Sequence, residues 1–293
     1  MAPNSKSVKG DRFSLYERLA RHEWMRRRLT RARHGERLEL HKALLAPQIS
    51  DAPSAGKTGL HTWLWSRFGL RDVERVLDVG CGFGATILAW ARQPGAGDVR
   101  FTGIGCSAFQ IRRASEQAER VGVADRCEFR RQEYSDPIAG EFDCIVSIEA
   151  LLHADDLDTT LAGLAAVLEP GGRLVCVEDM LLGEFAADAD VRALATAWHT
   201  PRIHSREDWA RATEAAGLLL ESEVDLSAQV PVRSTVDQGR QTRRLRRIRR
   251  LLAVPYFTSV IDAFQGGLAL ERLYARGIMR YVAAKWVKSE ARK

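Results

Sequence analysis

Residues 73–91, VERVLDVGCGFGATILAWA, constrain this chain more than any other stretch. An apolar run ends in Asp78. Glycines then occupy positions 80, 82 and 84, and an apolar, helix-compatible segment follows. A glycine has no Cβ, so alternating glycines let another group come close to the main chain. A strand, a glycine turn and a helix in that order form a cradle for a nucleotide. The glycines alone leave the guest open, because Gly80, Gly82 and Ala85 also satisfy the dinucleotide pattern G-x-G-x-x-A.

Asp78 separates the two guests. A dinucleotide would set its pyrophosphate against this turn, where a carboxylate two residues before the first glycine repels it. S-adenosylmethionine has no phosphate and carries an ammonium and a sulfonium, which the same carboxylate attracts.

Short apolar runs alternate with amphipathic segments from about 72 to 180. Strands are expected at 75–79, 99–103, 127–131, 142–147 and 173–177, and helices at 85–92, 108–121 and 157–168. EPGGR, residues 169–173, reads as a turn closing the last of these helices. Such alternation predicts a parallel sheet with helices on both faces, with ligands at the carboxyl ends of the strands. Further on, Ser205 reads as the cap of a helix that leads into a strand. Residues 235–277 read as helices broken at Pro255 and at the Gly266–Gly267 pair, and 278–288 as a last strand. The organisation expected is a helical N-terminal cap at 1–70, a core at 71–227, a helical lid insertion at 228–278, and a last core strand and tail at 279–293.

The 293 residues are 45% hydrophobic and 28% charged, ordinary for a globular chain. No apolar run is long enough to span a bilayer, and residues 1–23 lack an apolar signal core. Cys81, Cys106, Cys127, Cys144 and Cys176 show no C-x-x-C pair, and the seven histidines show no metal-ligand spacing. Reduced thiols, a cytoplasmic location and no metal are expected. The net charge of +6 gathers at the ends: residues 240–250 hold seven arginines and no acid.

With VLDVGCGFG and LEPGGRLVCVE, the sequence resembles the class I S-adenosylmethionine-dependent methyltransferases, well over 70–180 and loosely over 205–226. The resemblance implies an α/β, Rossmann-like seven-stranded sheet with S-adenosylmethionine as cofactor, held by Asp78, Gly80, Cys81, Gly82 and Gly84. Most members end the second strand with an acid that grips the ribose. Here Gly105 stands in that place, followed by Cys106 and Ser107. This resembles the branch containing tocopherol methyltransferases and cyclopropane-fatty-acid synthases, in which a serine is followed three residues later by a glutamine. Ser107 and Gln110 fit, and a glutamine amide can both donate to and accept from ribose hydroxyls. Gln132 and Glu133 fall where members contact adenine. Glu149 and His153, in SIEALLHA, fall near the methyl acceptor: His153 as a candidate base, Glu149 to orient it or hold a cationic group.

The expected activity is methyl transfer to a small, apolar or aromatic biosynthetic acceptor at carbon, nitrogen or oxygen, with a mild tilt to carbon or nitrogen. The alternatives are an NAD(P)-dependent oxidoreductase and a non-catalytic protein that only binds S-adenosylmethionine. Candidate pocket walls are Trp63, Trp65, Trp198, His199, His204, Tyr256 and Phe257. The arginine run reads as a solvated helix held by Leu245, Ile248, Leu251 and Leu252. An anionic ligand or peripheral contact with acidic headgroups stays open for it. Nucleic acid is not expected, since no RNA-binding module is recognisable, and a homodimer is left open.

Overall fold

The structure is a computed structural model describing residues 15, 17–22, 41–47, 52–251 and 255–290. Its centre is a seven-stranded sheet in the order β3-β2-β1-β4-β5-β7-β6. The strands are β1 (Arg75–Val79), β2 (Arg100–Gly105), β3 (Cys127–Arg131), β4 (Phe142–Ile148), β5 (Leu168–Leu181), β6 (Leu218–Asp225) and β7 (Met279–Lys288). The parallel sheet expected from the alternation over 72–180 is present as β1 to β5, and beyond it β7 inserts antiparallel between β5 and β6. A chain returning from β6 through a helical hairpin enters the sheet from the opposite end.

The helices are α1 (Thr58–Arg67), α2 (Ala85–Trp90), α3 (Ala108–Arg120), α4 (Leu157–Val167), α5 (Ala189–Ala197), α6 (Arg206–Ala215), α7 (Thr235–Leu251) and α8 (Pro255–Ala275). Their starts follow local chemistry. Ser107, Asp156 and Asp188 accept N-terminal N–H groups of α3, α4 and α5, and Ser205 with Asp208 closes a capping box on α6. Two apolar layers cover the sheet. One joins Leu64, Phe68, Val76, Trp90 and Phe101, and the other joins Leu77, Ile145, Leu161, Leu174 and Trp209.

Three local expectations change. Residues 169–172 do not end β5's pairing; they bulge within it, since Leu168 pairs with Phe142 and Arg173 already with Cys144. The helix α5 was not expected at all. The glycine pair does not break α8, which runs through both residues. Gly266 is instead a packing position: a Cβ there would lie 2.8 Å from Ala197 Cβ and from Trp198 Nε1. The absent side chain lets α8 press against the end of α5, where Leu194, Ala269 and Leu273 form a shared core. On α7, Leu245 is buried against Ile261 and Leu268 of α8, and the arginines face outward. The side chains of Leu251 and Leu252 lie outside the described residues, as do those of Tyr256 and Phe257 and the expected helical stretch at 23–40. Among the described residues no helix is long and apolar enough to cross a membrane.

Candidate functional site

The strand order reverses between β1 and β4, and the crevice that opens there, at the carboxyl ends of the strands, is where such sheets bind ligands. A cavity of about 530 Å³ occupies it. β1 ends at Asp78 and Val79. The following turn is held by the Gly80 and Cys81 N–H groups, both donating to the Ile104 carbonyl at 2.9 and 3.0 Å. Gly80, Gly82 and Gly84 all have positive φ, at 75°, 55° and 75°, which explains locally why side chains are excluded. At Gly80 space excludes them too, since a Cβ would sit 2.3 Å from that of Ala150.

Eleven of the thirteen residues expected at the site border this cavity: Asp78, Gly80, Cys81, Gly82, Gly105, Cys106, Gln110, Gln132, Glu133, Glu149 and His153. Two do not. Gly84 starts α2 and keeps clear of Phe129, whose ring carbon would be 2.7 Å from a Cβ. Ser107 is spent on capping: its Oγ accepts from Gln110 N–H at 3.2 Å and donates to Glu17. Of the suggested wall residues, Trp198 borders the cavity. Trp65 packs on Trp90 in the core, and His204 is buried with Nε2 3.2 Å from the Ala154 carbonyl.

Asp78 is 2% exposed, and its Oδ2 has no hydrogen-bond partner among the described residues. Burial pushes its carboxyl up to about 7. A buried carboxylate without a partner is costly, and at the lip of a cavity it is poised for a cationic ligand. The residues therefore fit S-adenosylmethionine. Asp78 would face its charged amino-acid end, Gln110 would face the ribose, and Gln132 and Glu133 would face the adenine.

Glu149 has an unusual backbone for a non-glycine residue, φ 54°. Its side chain is held by the Lys42 N–H at 2.9 Å and the Tyr281 hydroxyl at 2.7 Å, both on Oε1. Lys42 Nζ lies 3.2 Å from Glu149 Oε1 and 2.7 Å from Asp179 Oδ2, and 4.4 Å from the Tyr281 ring centroid. Burial alone would raise both carboxyls. At Glu149 the Lys42 ammonium, His41 and the two hydrogen bonds outweigh it, so the carboxyl sits below its ordinary range. At Asp179 burial prevails and the carboxyl is raised.

His153 ends a short 3-10 turn, Leu151–His153, and its ring meets Trp198 at 5.9 Å and 49°. Glu178 fixes that turn. It is fully buried and accepts the N–H groups of Ala150, Leu151 and Leu152 at 3.1, 2.9 and 3.2 Å, plus the Ser147 hydroxyl at 3.0 Å. Burial pushes it up to about 7 despite those donors.

A family profile described as "Methyltransferase domain" matches residues 70–246. The chain belongs to this methyltransferase family. It is 34% identical over 166 residues to the 27-O-demethylrifamycin SV methyltransferase of Amycolatopsis mediterranei, a match covering 54% of this chain and 58% of that protein. It is 31% identical over 170 residues to the methyltransferase GfsG of Streptomyces halstedii, covering 57% and 60%. The chain thus spans somewhat more than half the length of these curated relatives. A solved geranyl diphosphate methyltransferase, in complex with its diphosphate and sinefungin, shares the fold at a TM-score of 0.64 and 19% identity, covering 85% of this chain and 89% of that one. The cofactor of methyltransferases of this fold is S-adenosylmethionine, which agrees with the unpartnered Asp78.

The sequence led to an N-terminal cap but not to the residues of that segment that face the cavity. Leu15, Leu19, His22, His41, Lys57 and His61 border it, as does Phe264 of α8. Only a histidine inside the apolar segment LHTWLWSRF hinted at this wall. Nothing in the sequence joined it to residues so far along the chain.

Proposed function

We propose that this protein transfers a methyl group from S-adenosylmethionine to a small biosynthetic or secondary-metabolite acceptor. One observation carries the reading: a buried, unpartnered carboxylate, Asp78, at a glycine turn that opens into a cavity of about 530 Å³. That volume is in the range of small-molecule sites. When bound, S-adenosylmethionine supplies a methyl carbon made electrophilic by its sulfonium. Asp78 would bind the positive end, Gln110 would span the ribose hydroxyls, and Glu133 would accept from the adenine amino group.

Lys42 and Tyr281 hold Glu149 at the cavity wall, and Glu178 fixes the turn that carries His153. His153 is the candidate to take a proton from the acceptor. Residues of the N-terminal segments and α8 enclose the acceptor and exclude water, and alignment in that enclosure does much of the work. The name of the rifamycin enzyme specifies an oxygen, which supports oxygen beside the carbon or nitrogen suggested at first. Residues 228–278 would serve as part of the lid, and the arginine face of α7 as a solvated surface.

Calorimetric titration with S-adenosylmethionine, NADH and NADPH tests the donor. Binding of a nicotinamide cofactor without binding of S-adenosylmethionine would overturn the reading. Labelled donor incubated with phenols, macrolide-type alcohols and amines, read by mass spectrometry, finds the acceptor. Tight donor binding with no transfer to any acceptor would favour a binding protein.

A further inference from the structure

Two glycines stand side by side inside α8, and packing explains only one of them. A glycine within a helix costs stability relative to alanine. At Gly266 the fold needs a missing side chain, because Ala197 and Trp198 occupy its place. At Gly267 the fold needs no such thing: a Cβ there would meet no atom of the described residues within 4 Å. Carbon atoms in contact lie about 3.5–4.0 Å apart, so the space beyond Gly267 is wider than a packed interior leaves. Gly267 borders the cavity, and that space belongs to it.

The geometry of α8 puts this space at the acceptor end. Ala263 and Phe264 lie four and three residues before Gly267, on the same helix face, and all three border the cavity. The Trp198 indole N–H donates to the Ala263 carbonyl at 3.2 Å, and a Cβ at Gly266 would lie 2.8 Å from the same nitrogen. The indole is therefore seated on the turn that carries Gly267, and its ring meets His153. One fixed aromatic ring joins the candidate base to the empty space. Phe264 is 54% exposed, so an apolar group seated over Gly267 would take its ring out of water. Independent observations mark the cavity as a ligand site: Asp78 Oδ2 and His61 Nδ1 are buried in residues that border it, with no hydrogen-bond partner among the described residues.

We propose that Gly267 is a specificity-determining residue: the space left by its missing side chain receives an apolar ring or chain of the methyl acceptor, next to the atom that is methylated. The inference rests on the methyltransferase reading and deepens it by assigning the wall that measures the acceptor. Trp198, Ala263 and Phe264 are the apolar groups that this part of the acceptor meets. A helix position that departs from good helix chemistry without a packing reason is expected at a functional site. A larger side chain at 267 would fill the space and turn bulky acceptors away, while the donor cradle, built from the turn after β1 and the ends of β2 and β3, stays as it is.

The test needs no known substrate. Full-length protein saturated with S-adenosylhomocysteine is titrated with N-phenyl-1-naphthylamine, a neutral apolar fluorescent probe. The wild type should bind it. Gly267→Leu should bind it at least about tenfold more weakly, because the added carbon atoms occupy the space the probe needs. Phe264→Ala, which leaves that space open, should weaken the probe through lost ring contact. Both variants should bind S-adenosylmethionine within about twofold of wild type by calorimetry, being remote from the donor contacts. Gly267→Leu should also unfold at no lower temperature than wild type, since leucine is the better helix former; a merely structural glycine would show the reverse. A wild type that does not take up the probe, an unchanged probe affinity in Gly267→Leu, or an equal loss of donor and probe affinity would each overturn the proposal. If the wild type fails to bind S-adenosylmethionine, the methyltransferase reading falls; if it binds the donor and Gly267→Leu leaves the probe unaffected, only this inference falls.

Discussion

Replacing Asp78 with asparagine should make the ligand-free protein more stable and the donor complex much weaker. Burial raises the carboxyl from 3.8 to about 7, roughly three units at about 1.4 kcal/mol each. Because the folded value lies above the unfolded one, the group costs nothing below pH 3.8. Its cost grows between pH 3.8 and 7 and is fully present, at about 4 kcal/mol, above that. Asparagine removes the charge but leaves an amide with no partner, which costs about 1–3 kcal/mol. The net gain is about 1–3 kcal/mol at pH 8, or a melting temperature higher by about 2–8 °C for a chain of this size. In the complex the balance reverses. Loss of one partner of a buried charge pair costs about 3 kcal/mol, a donor affinity weaker by about a hundredfold. Scanning calorimetry at pH 8 with and without S-adenosylmethionine, together with isothermal titration, reads both effects. An asparagine variant that is no more stable alone and binds the donor as tightly as wild type would refute the reasoning.

Donor affinity of the wild type should fall as pH drops below about 7, by up to about tenfold per unit, because protonated Asp78 no longer attracts the cation; titration calorimetry at pH 5.5–8 should show this slope, and Asp78→Asn should flatten it. Gly266→Val should lower stability by about 2–3 kcal/mol through overpacking against Trp198, while Gly267→Ala, whose Cβ meets nothing within 4 Å, should be neutral or stabilising in urea unfolding. Lys42→Met should cost about 3 kcal/mol, since it leaves Glu149 and Asp179 buried without their cation; urea unfolding at pH 8 measures it. His153→Ala should lower turnover of whichever acceptor is found by about a hundredfold with donor affinity unchanged; full activity would remove His153 from the chemistry.

Much of the core was legible because its signals are local. The bounds of β1 and β3 coincide with the apolar runs, and Ser205 capped α6 as its spacing with Asp208 requires. VLDVGCGFG specified both the turn and its ligand class, since positive φ at three glycines and a carboxylate beside them are properties of adjacent residues. Where the signal was ambiguous, packing decided. Gly266 and Gly267 carry identical sequence cues for a break, yet the helix continues through both, and at Gly266 Trp198, distant in sequence, occupies the space that a side chain would need. Ser107 could have faced a ribose or capped a helix, and the backbone that α3 presents to it chose the cap.

Apart from Trp198, the side chains of the acceptor wall could not be read from sequence. His41 and His61 are 20 residues apart, and Lys42 meets Asp179 across 137 positions. No periodicity or spacing rule links such pairs. A nucleotide cradle is built by one continuous turn and is therefore written in the sequence. An acceptor pocket is closed by segments that meet only after the sheet has formed, so only the tertiary structure decides which side chains share it.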